Sequence, residues 1–269
     1  RDTLRHAPPP FTTATVQQAA SVRLKFNPDG TMKLLQELFE DGRITYHRTD
    51  STALAPEAVA AARQVIAENF AAGYLPKTPI VHASRAANAQ EAHEAIRPTH
   101  LESGPDALGD GDKGRLYRLI WQRFIACQMA PGRDQNTVID VACAPAAWKL
   151  PDGTLVAMGV FQAKGKVLLF DGWRRLAGED ATAEANVKKG GGEAAGEDDE
   201  GSAEELPLLD PGESLQLRSL AAAKRTTKPP SRYTQASLIK KLEHDGIGRP
   251  STYAAILRTI LARGYVEEA

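Results

Sequence analysis

Residues 42–56 read GRITYHRTDSTALAP, and Tyr46, His47, Arg48 and Asp50 fall within five positions of one another. The run is β-prone, and in an extended chain alternate side chains share a face. Tyr46, Arg48 and Asp50 are therefore expected on one side, with Thr45, His47 and Thr49 on the other. A phenol with a pKa of about 10 is a weak nucleophile until a nearby cation or base favours the phenolate. Arg48, two residues on, offers such a cation and can grip a phosphate oxygen through paired N–H groups. The arrangement suits attack on a phosphodiester. Taken alone, its ordinary explanation is a half-buried tyrosine beside a surface ion pair, so the rest of the chain has to decide.

Working outward, the stretch is flanked by helical spacing. Segments 12–26 (TTATVQQAASVRLKF) and 31–42 (TMKLLQELFEDG) precede it, and Met32, Leu35, Leu38 and Phe39 form one stripe that Gly42 ends. Residues 43–50 are expected as a short strand, and 56–73 as a helix with Pro56 in its first turn. Residues 88–99 (NAQEAHEAIRPT) read as a short helix that stops near Pro98, and 113–129 (KGRLYRLIWQRFIACQM) as a strong amphipathic one. On the shorter helix His93 and Arg97 would share a face and Glu91 and Glu94 another, which puts a possible phosphate donor or proton shuttle beside a cation. A helix-end histidine held by local charges would look the same.

From Thr137 the texture becomes β-rich, with turn signals at PDG (151–153) and AKGK (163–166) and a further strand expected at 213–223 (ESLQLRSLAAA). Two helices, 234–246 and 250–264, close the chain. Between them Gly248-Arg249-Pro250-Ser251-Thr252 sits at a helix start, where unpaired N–H groups attract anions. An N-cap with a nearby proline explains Ser251 and Pro250 but not Arg249. The same pair of helices is also the pattern of a helix-turn-helix, so a non-enzymatic DNA-binding protein using residues 234–269 is the alternative reading.

Composition narrows the classes. With 269 residues and 42% hydrophobic content the chain can build a substantial core. No apolar run approaches a membrane span, and a membrane partner is not expected. Cys127 and Cys143 have neither metal-site nor disulfide spacing, which points to a reducing, cytoplasmic setting. The net charge of −1 conceals a contrast: residues 179–205 hold ten acids against Lys188 and Lys189, and the remainder is net +7. That acidic, Gly- and Ala-rich run reads as a disordered loop, while the basic remainder suits a polyanion. No HExxH, CxxC, carboxylate metal motif or Gly-rich phosphate loop is present, so nucleotide hydrolysis by this segment is not expected.

In chain order, PFTTATVQQAAS, LFEDGRITYHRTDST, QEAHEAIRPT, LYRLIWQRFIACQMAP, LLFDGW and YTQASLIKKLEHDGIGRPSTYAAILRTILARGYVEE together resemble the type IA DNA topoisomerases, specifically the bacterial topoisomerase I branch. The resemblance spans nearly the whole chain and lapses around the acidic run. It implies an α+β multidomain core: residues 1–9 ending an arch strand, 10–132 a helical, mobile, tyrosine-bearing domain, 133–224 an antiparallel β arch with the acidic loop 179–205, and 225–269 the start of a helical base domain. It implies that Tyr46 attacks one DNA strand to form a 5′-phosphotyrosine, that Arg48 positions the scissile phosphate, and that His93 contacts the same phosphate. Gln36, Glu40 and Asp50 are implied along the strand path, and Arg249, Ser251 and Thr252 in a backbone-gripping turn.

The expected substrates are single-stranded DNA and negatively supercoiled duplex, relaxed without ATP in a bacterial, nucleoid-associated enzyme. Mg²⁺ is expected in the full enzyme, held by a Toprim domain with no counterpart in these residues; zinc-finger repeats likewise have none. With Arg1 at the start and a strand-like GYVEEA at the end, the chain is expected to be part of a longer protein, inactive without that domain. One departure stands out: His47 occupies a position where the family commonly has Met or Pro. It is expected to face away from Tyr46 and tune rather than perform chemistry.

Overall fold

The computed structural model describes residues 1–82, 93–143, 148, 149, 153, 155, 156, 159–177, 206–219, 221, 224, 226, 227 and 229–267. The acidic run 179–205 and residues 88–92 of the expected helix lie outside these. The chain divides into two compact units, one of Arg1–Arg5, Gly132–Asp171 and Ala195–Pro229, the other of His6–Pro131, Gly172–Ala194 and Pro230–Ala269.

The second unit is helical. Helix α1 (Thr13–Ala19) starts at a capping box between Thr12 and Thr15, runs on as a π turn over Ala20–Leu24, and stops where Lys25 adopts φ 62°. Helix α2 (Pro28–Glu40) begins earlier than its apolar stripe suggests, because Asn27 caps it by accepting from the Gly30 N–H at 2.7 Å and Pro28 fits the first turn. Leu35 and Leu38 go into the core, but Phe39 stays 37% exposed. Helix α3 (Pro56–Asn69) buries Ala58, Ala62 and Ile66. Helix α4 (Asp112–Ala126) is the axle of the unit, with Leu116, Tyr117, Ile120, Phe124 and Ile125 all sealed. Gly114 is required there, since a Cβ would lie 2.0 Å from the Gly109 carbonyl oxygen. Burial of side chains of this size stabilises by roughly 1.5–3 kcal/mol each before entropy is subtracted.

The first unit is a three-stranded antiparallel sheet in the order β1 (Asp2–Arg5), β2 (Gly132–Cys143), β5 (Gly159–Phe170), accompanied by the short pair β3 (Trp148–Lys149) and β4 (Leu155–Val156). β2 and β5 pair from Arg133↔Phe170 to Cys143↔Gly159, with one bulge between Arg133 and Asp134. Back in the helical unit, α5 (Arg174–Ala177) follows the sheet, and near the chain's end α6 (Gln235–His244) and α7 (Tyr253–Ala262) form a second small core in which Ile239, Tyr253 and Leu257 meet Ala14 of α1.

Three expected elements differ. Residues 43–50 are not a strand: only Ile44 bridges, to Pro98. Residues 93–99 are extended rather than helical, because Ile96 pairs with Phe11 and both are needed in the core. Residues 213–219, read as a strand, lie exposed with no ladder among the described residues. Alternation alone makes no strand when no partner edge receives it.

Candidate active site

The segment carrying Tyr46 is held by side chains rather than by a sheet. At the end of α2, Gly42 takes φ 66° and the Arg43 N–H returns to the Leu38 carbonyl at 2.8 Å, which turns the chain sharply. Thr45 then locks onto the extended 93–99 run: its N–H donates to the Arg97 carbonyl at 2.9 Å and its hydroxyl to the Ala95 carbonyl at 2.7 Å. Beyond the tyrosine, Thr13 at the start of α1 acts as a clamp. Its hydroxyl donates to the His47 carbonyl at 2.6 Å and accepts from the Thr49 N–H at 2.9 Å, while its own N–H donates to the Thr49 carbonyl at 2.9 Å. With the backbone fixed at both ends, the alternation of an extended chain survives without a strand. His47 and Thr49 are 1% exposed, whereas Tyr46 is 44% exposed and Arg48 also faces solvent.

Tyr46 stands in an aromatic cluster. Its ring centroid lies 5.3 Å from Phe39, 5.5 Å from His47 and 6.1 Å from His93, each contact edge-on. His93 thus reaches the tyrosine from an extended segment rather than from a helix. Arg97 instead forms a fork with Glu94, at 2.7 and 2.9 Å, and Glu94 also accepts from the Ala55 N–H at 2.8 Å. That carboxylate ties the loop after Ser51 to the 93–99 run, a structural role for which the sequence carries no separate signal.

The remaining expected residues fall into two groups, one on α2 and one at the α6–α7 corner. On the last turns of α2 the Gln36 amide donates to Glu40 at 2.6 Å, and the Glu40 charge is felt at His47. Burial holds the His47 imidazole below its usual range, Arg48 pushes it further down, and Glu40 opposes both. Asp50 is half-buried and faces the α6–α7 corner. There burial raises the Tyr253 hydroxyl, with Glu243 and Asp50 adding and Arg249 opposing. At that corner α7 starts at Tyr253, with Thr252 in the N-cap position, rather than at Pro250. The Thr252 hydroxyl accepts from the Arg249 N–H at 2.8 Å, which closes a turn that leaves Arg249 and Ser251 exposed. Gly248, at φ 84°, leaves space for this turn, where a Cβ would meet Ile256 at 2.8 Å.

Two residues of the site were missed by sequence reasoning. Phe39 reads as core because it continues the α2 stripe, yet it is the tyrosine's neighbour. Thr13 reads as helix propensity; a doubled threonine at a helix start is its only trace. Among the described residues no three His, Cys, Asp or Glu side chains gather as metal ligands.

The family model described as DNA topoisomerase matches residues 1–269. The chain is 43% identical to DNA topoisomerase 1 of Escherichia coli K12 over 259 residues, covering 96% of this chain and 26% of that protein. It is 43% identical to the Zymomonas mobilis enzyme over 262 residues, covering 97% of this chain and 20% of that one. It thus spans a fifth to a quarter of the length of these relatives. The solved structure of full-length topoisomerase I from Thermotoga maritima superposes with a TM-score of 0.70 at 30% identity, covering all of this chain and 40% of that one. With its helical unit and antiparallel three-stranded sheet, the chain belongs to the bacterial DNA topoisomerase 1 (type IA) family.

Proposed function

We propose that this chain is the tyrosine-bearing part of an enzyme that cuts and rejoins one DNA strand. The Tyr46 hydroxyl oxygen attacks the phosphorus of a phosphodiester; the new bond is a 5′-phosphotyrosine, and the 3′ oxygen leaves with a proton as a hydroxyl. One phosphoester replaces another, so bond energy is retained and the reverse attack reseals the strand without ATP. Arg48 holds the phosphate oxygens and offsets the charge that builds on them, and His93 donates to the same group. Gln36, Glu40 and Asp50 border the strand's path, and the Arg249–Ser251–Thr252 turn grips its backbone. Mg²⁺ is assigned to parts of the enzyme outside these residues, and no step here is routed through it. Single-stranded regions of negatively supercoiled duplex are the proposed substrate, in a bacterial cytoplasm.

The observation that carries this reading is the presentation of Tyr46: its ring is open to solvent, as is Arg48 two residues on, and lies within 6.1 Å of the His93 ring, while His47 and Thr49 are sealed. The test uses the full-length protein that carries this chain. Mixed with 3′-labelled single-stranded DNA and stopped with detergent, it should yield a labelled covalent adduct that Tyr46→Phe abolishes while DNA affinity stays within about twofold. The isolated chain should bind weakly and form no adduct. Adducts that persist in Tyr46→Phe would remove the tyrosine from this role.

A further inference from the structure

We propose that His47 is a positioning residue for Tyr46, its sealed imidazole forming the platform on which the exposed tyrosine ring stands. The proposal rests on the reading of Tyr46 as nucleophile. Three rings make a triangle: Tyr46 to His47 at 5.5 Å, Phe39 to His47 at 5.8 Å and Phe39 to Tyr46 at 5.3 Å. His47 is the sealed member, while Tyr46 at 44% and Phe39 at 37% reach solvent. The imidazole is 1% exposed, and neither Nδ1 nor Nε2 has a hydrogen-bond partner among the described residues. A buried polar ring without partners contributes nothing by hydrogen bonding, so its contribution lies in its shape and its edges. The backbone that carries the ring is fixed as well, because the His47 carbonyl accepts from the Thr13 hydroxyl at 2.6 Å.

Such a platform works only while it is uncharged. Arg48 and Glu40 are the charged groups that bear on it, and Tyr46 is the titratable ring against it, with His93 beyond. Burial and Arg48 favour the neutral ring, and Glu40 alone favours the cation. An imidazolium in this pocket would have no acceptor and would be drawn toward water, lifting the support from beneath Tyr46. The tyrosine should therefore lose its fixed presentation as pH falls below 6.5 toward the lower value of the buried histidine. A phenyl ring at this position keeps the shape and cannot titrate.

Two measurements test the idea. In the 269-residue chain with ¹³C-labelled tyrosine, the Tyr46 ring resonances should move with a midpoint below pH 6.5 in the wild type and in His93→Gln, and stay flat in the His47→Phe, His93→Gln double variant. In the full-length protein, His47→Ala should slow adduct formation at least tenfold with DNA affinity within twofold. His47→Phe should restore most of that rate and lose its decline in acid. Tyr46 resonances indifferent to His47, or a His47→Phe pH profile identical to the wild type, would overturn the proposal; the second arm decides even if His47→Ala does not fold. A Tyr46 adduct formed equally fast in His47→Ala overturns it and leaves the cleavage reading standing. Should the wild type form no adduct, the cleavage reading and this role fall together, and the resonance titration still decides whether the platform exists.

Discussion

The helical unit and the sheet unit hold themselves together in different ways. In the first, Leu35, Leu38, Leu116, Tyr117, Ile120 and Phe124 are sealed within one cluster, and the chain between helices is pinned by threonine hydroxyls. In the second, β2 and β5 form a long ladder whose side chains stay in water: Val138 is 54% exposed, Val160 59% and Leu168 58%. Its sealed polar residue is Asp134, whose carboxylate meets Arg5 at 3.4 Å and Lys166 at 3.2 Å, so that one buried charge ties β1, β2 and β5. A packed core fixes side chains to within fractions of an ångström, whereas a ladder fixes mainly the backbone and leaves twist and bend soft. The division fits the chemistry proposed: a tyrosine that must meet a phosphorus atom belongs on the rigid unit.

The comparison breaks most visibly at Phe124. Truncation to alanine leaves a cavity between α4 and its neighbours and should cost about 3–5 kcal/mol, read as lost protection of α2 and α4 amides in hydrogen exchange. If those amides keep their protection, the unit is not held by packing. The sheet's counterpart is Asp134. Replacing it with alanine removes the acceptor shared by Arg5 and Lys166, but both cations are substantially exposed and rehydrate readily. The expected loss is about 1–2 kcal/mol, seen in the β1 and β2 amides. A loss as large as that at Phe124 would mean that one ion cluster, not the ladder, holds the three strands.

These contrasts also explain what could be read in advance. Helices α2, α3 and α4 were legible because their apolar spacing, Gly42 and Pro56 favour one local answer, although the Asn27–Pro28 start of α2 went unread. The alternation from Tyr46 to Asp50 was legible as well, since it depends only on an extended backbone. What produces that extension was not: Thr13 lies 34 residues from His47, and Thr45 lies 52 from Arg97. The 93–99 run looked helical because His93 and Arg97 sit four apart, yet Arg97 closes a fork with Glu94 from an extended chain. The demand for Ile96 beside Phe11 overrode the local pattern. Arg249 was expected as an anion grip and lies exposed, but the start of α7 at Tyr253 was not legible, because Pro250 and Ser251 offered an equally good start a few residues earlier.

The smallest effect sharpens the comparison most. Val160 lies on β5 opposite Ala142 and keeps 59% of its surface in water, so Val160→Thr removes little burial and retains the branched Cβ that suits a strand. Amide protection in β5 should change by less than about 0.5 kcal/mol. A loss near 2 kcal/mol, the order expected for burying such a side chain, would show that this face is covered in solution, by another part of the protein or by a second copy. Repeating the exchange on the full-length protein and over a range of chain concentrations separates those two: dependence on concentration points to a second copy, and a loss confined to the full-length protein points to a face covered within it.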